Sequence, residues 1–133
     1  MAAVLVDTNI ILDLFTQDPQ WEERSAAALA SAADFAPLVI NPIIYAELSV
    51  GIAKIEELDQ FLGTDFRRDP LPYQAAFVAG KAFLTYRRRG GHKTSPLPDF
   101  YIGAHAAVEE MIILTRDSPR YASYFPSVKL LAP

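Results

Sequence analysis

Short aliphatic runs alternate with longer stretches of helical period along this chain. Residues 4–6, 38–40, 111–114 and 128–131 are apolar, rich in branched side chains and bounded by polar or turn-forming residues, which predicts four buried strands. Between them the spacing predicts helices over 10–15, 21–33, 43–58, 73–89 and 98–109, with a further helical piece at 59–62. Trp21, Ala28, Leu29 and Ala32 would form the inner face of the second helix, and Ile44, Leu48, Ile52 and Ile55 that of the third. Asn41-Pro42 is a helix start, with Asn as N-cap and Pro at the first helical position; Pro98 opens another helix, and Gly90-Gly91 is a stop. Residues 67–72, with two prolines, and 92–97 read as loops. Strands alternating with helices require crossover connections. The expected fold class is therefore α/β, a single domain over 1–133 with a central, mostly parallel sheet flanked by helices on both faces.

In such sheets ligands bind at the carboxyl ends of the strands. Four acids fall there. Asp7 directly follows the first strand and interrupts the apolar run VLVDTNIIL, and Asp117 lies just past the third expected strand. Glu47 is in the second turn of the helix entered through Asn41-Pro42, and Asp99 is in the first turn after Pro98. On a parallel sheet these positions share one edge, where Asp7 is expected to be exposed. Two carboxylates ~4 Å apart repel by about 4 kcal/mol at an effective dielectric of 20, so such a cluster must hold protons or bind cations. All-oxygen ligation points to a hard divalent ion, Mg²⁺ or Mn²⁺, of the kind that activates water in phosphodiester hydrolysis. Each acid taken singly has another use. Asp7 and Asp99 suit helix N-termini, Glu47 an exposed or ion-paired helix face, and Asp117 a turn before Ser118-Pro119.

Composition narrows the field. At 133 residues, 51% hydrophobic and 21% charged, the chain is an ordinary folded domain. It has no cysteine, which excludes a disulfide scaffold and thiolate metal ligation and fits a reducing, cytoplasmic setting. The start MAAVLVDTN lacks a basic leader, and no apolar stretch approaches the ~20 residues of a membrane helix, so a soluble protein without membrane contact is expected. The net charge of −4, from 16 acids and 12 bases, argues by itself against a nucleic-acid partner. Its distribution says more: Arg87, Arg88, Arg89, His92 and Lys93 crowd one short stretch. The arginines complement the dipole of a helix end, and the whole group could contact RNA phosphates.

With these residues laid out, the chain resembles the PIN-domain ribonucleases, especially the VapC-type toxins of bacterial toxin–antitoxin pairs. The matching motifs are VLVDTNIILDLF, INPIIYAELSVG, LPDFYIGAHA and ILTRDSPRY, in family order over nearly the full chain. The resemblance implies a compact α/β fold around a parallel sheet and Mg²⁺- or Mn²⁺-dependent endoribonuclease activity leaving 5′-phosphate and 3′-hydroxyl ends. By motif Asp7, Glu47, Asp99 and Asp117 match the family's acids in order. Thr8 and Asn9 match the polar residues after the first acid, and Thr115 the position before the final Arg-Asp. Asp7, Asp99 and Asp117 would be the metal ligands, with Glu47 a ligand or an orienter of the water. Relatives commonly form homodimers and are silenced by a cognate VapB-like antitoxin whose tail lies across the active site. Some relatives carry a further acid shortly after the last one, where this chain has Ser118 and Pro119, which favours one tightly held ion over two.

Other prominent residues have plainer expected uses. His105, six positions after Asp99, is turned away from that residue's face and reads as structural. Asp13 is expected on the solvated side of the first helix, Trp21 and Phe15 in the core, and Tyr121, Tyr124 and Phe125 packed under the last strand. Two alternatives to a nuclease are a phosphotransfer or phosphatase domain with strand-end acids, and a non-catalytic binding protein of PIN-like fold. The phosphatase pattern wants a second aspartate two residues after the first, where this chain has Asn9. The receiver pattern wants a lysine after a strand, whereas Lys129 falls inside one.

Overall fold

The computed structural model describes residues 2–94 and 97–133; Ser95 and Pro96, part of the expected 92–97 loop, lie outside the described residues. The elements run β1 (Val4–Val6), α1 (Thr8–Phe15), α2 (Glu22–Ala33), β2 (Leu38–Ile40), α3 (Pro42–Ser49), α4 (Ile55–Leu62), β3 (Phe66–Arg68), α5 (Tyr73–Arg88), α6 (Pro98–Glu109), β4 (Ile112–Leu114), α7 (Ser118–Tyr124) and β5 (Leu130–Leu131). The five strands form one sheet in the order β3-β2-β1-β4-β5, every neighbouring pair parallel. Val4, Leu5 and Val6 are all fully buried. Because successive strand residues face opposite ways, both faces of the sheet are covered. The chain steps outward from β1 to β3 through α1 to α4, then crosses back to β4 and on to β5 through α5 to α7. The direction of travel reverses between β1 and β4. The crevice beyond their carboxyl ends is thus the place where this topology leaves room for a ligand.

Local chemistry starts the helices that border this crevice. Asp7 caps α1, its carboxylate accepting from the Thr8 backbone N–H at 2.8 Å. Asn41 caps α3, its side chain accepting from the Ile44 N–H at 2.9 Å, with Pro42 in the first turn as expected. Gly90 ends α5 with a φ of 92°, a conformation that suits glycine.

Phe15 and Trp21 are half-buried outside the core, with Trp21 just ahead of α2. Besides these and the burial of Asp7, described below, the structure departs from the sequence reading at four points. The helix expected over 43–58 stops at Ser49 and restarts at Ile55. The break re-aims the chain so that Leu58 and Leu62 go inward while Ile55 turns out to solvent. The expected loop at 67–72 begins with an edge strand, β3, paired to β2. Its arginines are exposed and leave no apolar signal, which is how an edge strand is protected from further pairing. The third difference is α7, whose Ser118-Pro119 start is a signal of the same kind as Asn41-Pro42. The fourth is Asp13, which is buried: it accepts from Ser25 Oγ at 2.7 Å and pairs with Arg116 at 3.0 Å.

Gly103, in the middle of α6, sets how closely that helix meets the segment after α7. A Cβ at this position would fall 2.3 Å from the buried ring of Phe125. Although Ala is the better helix former, Gly103→Ala is expected to destabilise the protein by about 1–3 kcal/mol, the usual cost of overpacking. The measurement is the urea midpoint of unfolding; a midpoint at or above that of the unchanged protein would show that Phe125 can yield.

Candidate active site

Asp7 is the centre of the crevice and, contrary to expectation, it is buried, only 4% exposed. Burial of a carboxylate is tolerable only with partners, and Asp7 has four donors. Oδ1 accepts from Thr8 N–H, while Oδ2 accepts from Thr115 Oγ1 at 2.7 Å, Tyr121 Oη at 3.0 Å and, at the long limit of 3.4 Å, Asn9 Nδ2. Burial still outweighs them and pushes the Asp7 carboxyl above its ordinary range, with the charge of Asp99 acting the same way. Glu47 reaches in from α3, half-buried, and accepts from Thr8 Oγ1 at 2.7 Å. Its carboxyl is raised too, by burial first and then by Asp7 and Asp99.

Asp99 enters from α6. Its Oδ1 lies 3.4 Å from the Tyr121 hydroxyl, so one phenol bridges Asp99 and Asp7. Its Oδ2 accepts from Arg120 Nη1 at 2.7 Å. Asp117 sits at the mouth, about half exposed, with Arg120 Nε 3.5 Å from its Oδ2 and its own backbone N–H donated to Thr115 Oγ1 at 2.9 Å. Of the four acids, Asp7, Glu47 and Asp99 form an interacting trio, and Asp117 is joined to them through Arg120 and Thr115. Thr8, Asn9 and Thr115 all belong to the network; Asn9 also accepts from the Arg116 N–H at 3.3 Å.

Residues 4–121 match the family model described as PIN domain. The chain belongs to the PIN domain family. Solved structures of similar fold include VapBC2 from Rickettsia felis bound to a DNA fragment from their promoter, at 21% identity, covering 98% of each chain with a TM-score of 0.76. VapBC-1 from nontypeable Haemophilus influenzae matches at 20% identity over 98% of this chain and 97% of that one, TM-score 0.72. A toxin–antitoxin complex from Klebsiella pneumoniae matches at 24% identity over 95% of each, TM-score 0.69. At these identities the likeness is one of fold. Comparison with the curated proteins returns no match.

Two residues of this PIN domain's site escaped the sequence reading. Tyr121 is buried, its hydroxyl held protonated by burial and by the charges of Asp7 and Asp99; it packs inward, but its oxygen belongs to the site. Arg120 precedes it and is kept firmly protonated by Asp99. The available signals were the helix start at Ser118-Pro119 and the i, i+3 spacing of Asp117 and Arg120. His105 lies elsewhere, buried, its Nδ1 3.0 Å from Asn41 Nδ2, and burial lowers its pKa. In the basic stretch, Arg87 donates to the Lys93 carbonyl and Arg89 to Ser123 Oγ at 3.1 Å. Lys93 alone of the five shares a cleft with Asp99; Arg87, Arg88, Arg89 and His92 are not among the residues lining it.

Among the described residues no three carboxylates or imidazoles are gathered closely enough to enclose a metal ion. Asp99 and Asp117 are turned to Arg120, and Glu47 to Thr8. The donor set nevertheless fits a hard ion in kind. It is carboxylate oxygen throughout, and the cation it now engages is a guanidinium.

The raised carboxyls make stability depend on pH. Folding lifts Asp7 and Glu47 above their ordinary values of 3.8 and 4.5. Just above those values the native state therefore holds more protons than the unfolded chain, and stability is lost as pH rises through the folded pKa values. Thermal unfolding in chelator is expected to show a melting temperature that falls across this window, and falls less in Asp7→Asn. Parallel profiles for the two proteins would remove Asp7 as a titrating group.

Proposed function

We propose that this PIN domain is a Mg²⁺- or Mn²⁺-dependent endoribonuclease and the VapC-type toxin of a type II toxin–antitoxin pair, acting on structured RNA in the cytoplasm. The observation that carries the reading is the trio Asp7, Glu47 and Asp99. Three remote parts of the sequence deliver mutually repelling carboxylates to one crevice, one of them buried, and stability alone supplies no reason for that. Asp7, Asp99 and Asp117 would hold the ion. When bound, it supplies an activated water and charge neutralisation at the scissile phosphate.

The chain's own residues do the rest. Thr115, Tyr121 and Asn9 aim the Asp7 carboxylate, and Thr8 fixes Glu47 so that its free oxygen can orient the attacking water and accept its proton. Arg87, Arg88, Arg89, His92 and Lys93 offer phosphate contacts on the approach, Lys93 being the one beside Asp99. A non-catalytic binding domain would gain nothing from this arrangement of acids, and the phosphotransfer alternative has no support in the family match.

The partner assignments rest on different features. Tyr73, Phe77 and Leu84 are exposed along α5, an apolar stripe suited to a homodimer contact. A cognate VapB-like antitoxin is supported by the similar solved fold found in a toxin–antitoxin complex. An apolar cavity of about 380 Å³ lined by Ile11, Leu14, Leu29 and Phe61 has the character of a helix-binding groove.

Purified protein is expected to cut structured RNA with Mg²⁺ or Mn²⁺ and to stop in chelator. Asp7→Asn should lower the rate by at least about a hundredfold, the loss expected when several kcal/mol of transition-state stabilisation disappears, while its circular dichroism stays native. Cleavage by the variant at the unchanged rate, or cleavage that persists in chelator, would defeat the proposal.

A further inference from the structure

Arg120 lies where neither the acids nor the basic stretch accounts for it. Its Nη1 is 2.7 Å from Asp99 and its Nε 3.5 Å from Asp117, so one guanidinium engages two of the three acids assigned to the ion. About half of its side chain is open to solvent. Its ionic contacts are to these two carboxylates.

The same side chain forms a wall of a cleft of about 590 Å³ that begins at Asp99. The cleft is also lined by Lys93, Tyr86, Phe100, Ser123 and Tyr124. Arg89 lies behind the lining, its guanidinium 4.9 Å over the Tyr124 ring and bonded to Ser123. Lys93 and Arg120 beside the aromatic side chains, in a cleft that begins at Asp99, suit a phosphate and the nucleotide attached to it.

We infer that Arg120 is an internal counter-ion which alternates between two partners: Asp99 and Asp117 when the acids hold no ion, and a phosphate of the RNA in the adjoining cleft when they do. The inference rests on the proposed function for its RNA half. Arg120 occupies Oδ2 of both Asp99 and Asp117, so the guanidinium and a divalent ion compete for the same carboxylate charge. A bound ion therefore frees a guanidinium beside the cleft, and metal loading strengthens RNA binding. Arg120 is in this sense a positioning residue for the acids and a contact for substrate.

Binding measurements separate the parts without relying on turnover. Calorimetric Mn²⁺ titrations of the unchanged protein and of Arg120→Gln should show the variant binding about threefold to tenfold tighter, the scale of losing a partly exposed pair of ionic contacts. Arg120→Lys, which keeps the charge without the fork, should fall between them. A short fluorescein-labelled RNA, titrated into proteins also carrying Glu47→Gln to suppress cleavage, gives the second readout. Arg120→Gln should weaken RNA binding with Mn²⁺ present and leave it nearly unchanged in chelator. Equal or weaker Mn²⁺ binding by Arg120→Gln overturns the inference while leaving the metal site standing. Equal RNA binding with Mn²⁺ overturns its RNA half. Absence of Mn²⁺ binding in both proteins overturns the inference and the proposed function together.

Discussion

A buried carboxylate at the end of the central strand is the constraint around which this molecule is arranged. Asp7 must be desolvated because β1 is covered on both faces, and it must be satisfied because an unpaired buried charge is intolerable. Its donors come from the first turn of α1, from the residue after β4 and from α7. Segments more than a hundred residues apart in sequence are thereby tied to one atom pair. The same bonds that make the strand end tolerable also fix the positions of Thr115 and Tyr121, and through them the placement of Asp117 and Asp99.

The surrounding carboxylates work against that satisfaction. Asp99 raises the cost of the Asp7 charge, and the two together raise that of Glu47. Glu47 is held close by its bond from Thr8, and Asp99 sits against the same Tyr121 hydroxyl that serves Asp7. The site is consequently poised, with enough donors to keep the fold together and too much negative charge for all of its acids to be at ease. An arrangement optimised for stability would have replaced part of it with apolar side chains. That unrelieved charge is what the proposed function rests on.

Much of this is legible in the sequence. The strands β1, β2 and β4 announce themselves as aliphatic runs, and the Asn41-Pro42 cap fixes where α3 begins, so the pattern of residues alone places Glu47 at the sheet edge. What stays hidden depends on partners that a linear reading cannot see. Asp13 looks solvated until Ser25 and Arg116 are brought to it, and β3 looks like a loop because its pairing with β2 carries the information that its arginines do not. Tyr121 looks like core, and it is; only the direction of its hydroxyl, set by α7, makes it part of the site.

Two guanidinium groups meet the ring of the chain's single tryptophan, Trp21: Arg24 at 4.4 Å and Arg116 at 4.8 Å from its centre. Arg116 is the residue between Thr115 and Asp117, and its other contact is the buried Asp13. The indole is thus stacked on the side chain of the segment that carries the last acid of the site. A displacement of that segment changes the charge facing the ring, so the emission of Trp21 is an optical reporter of the crevice that the protein carries without any label.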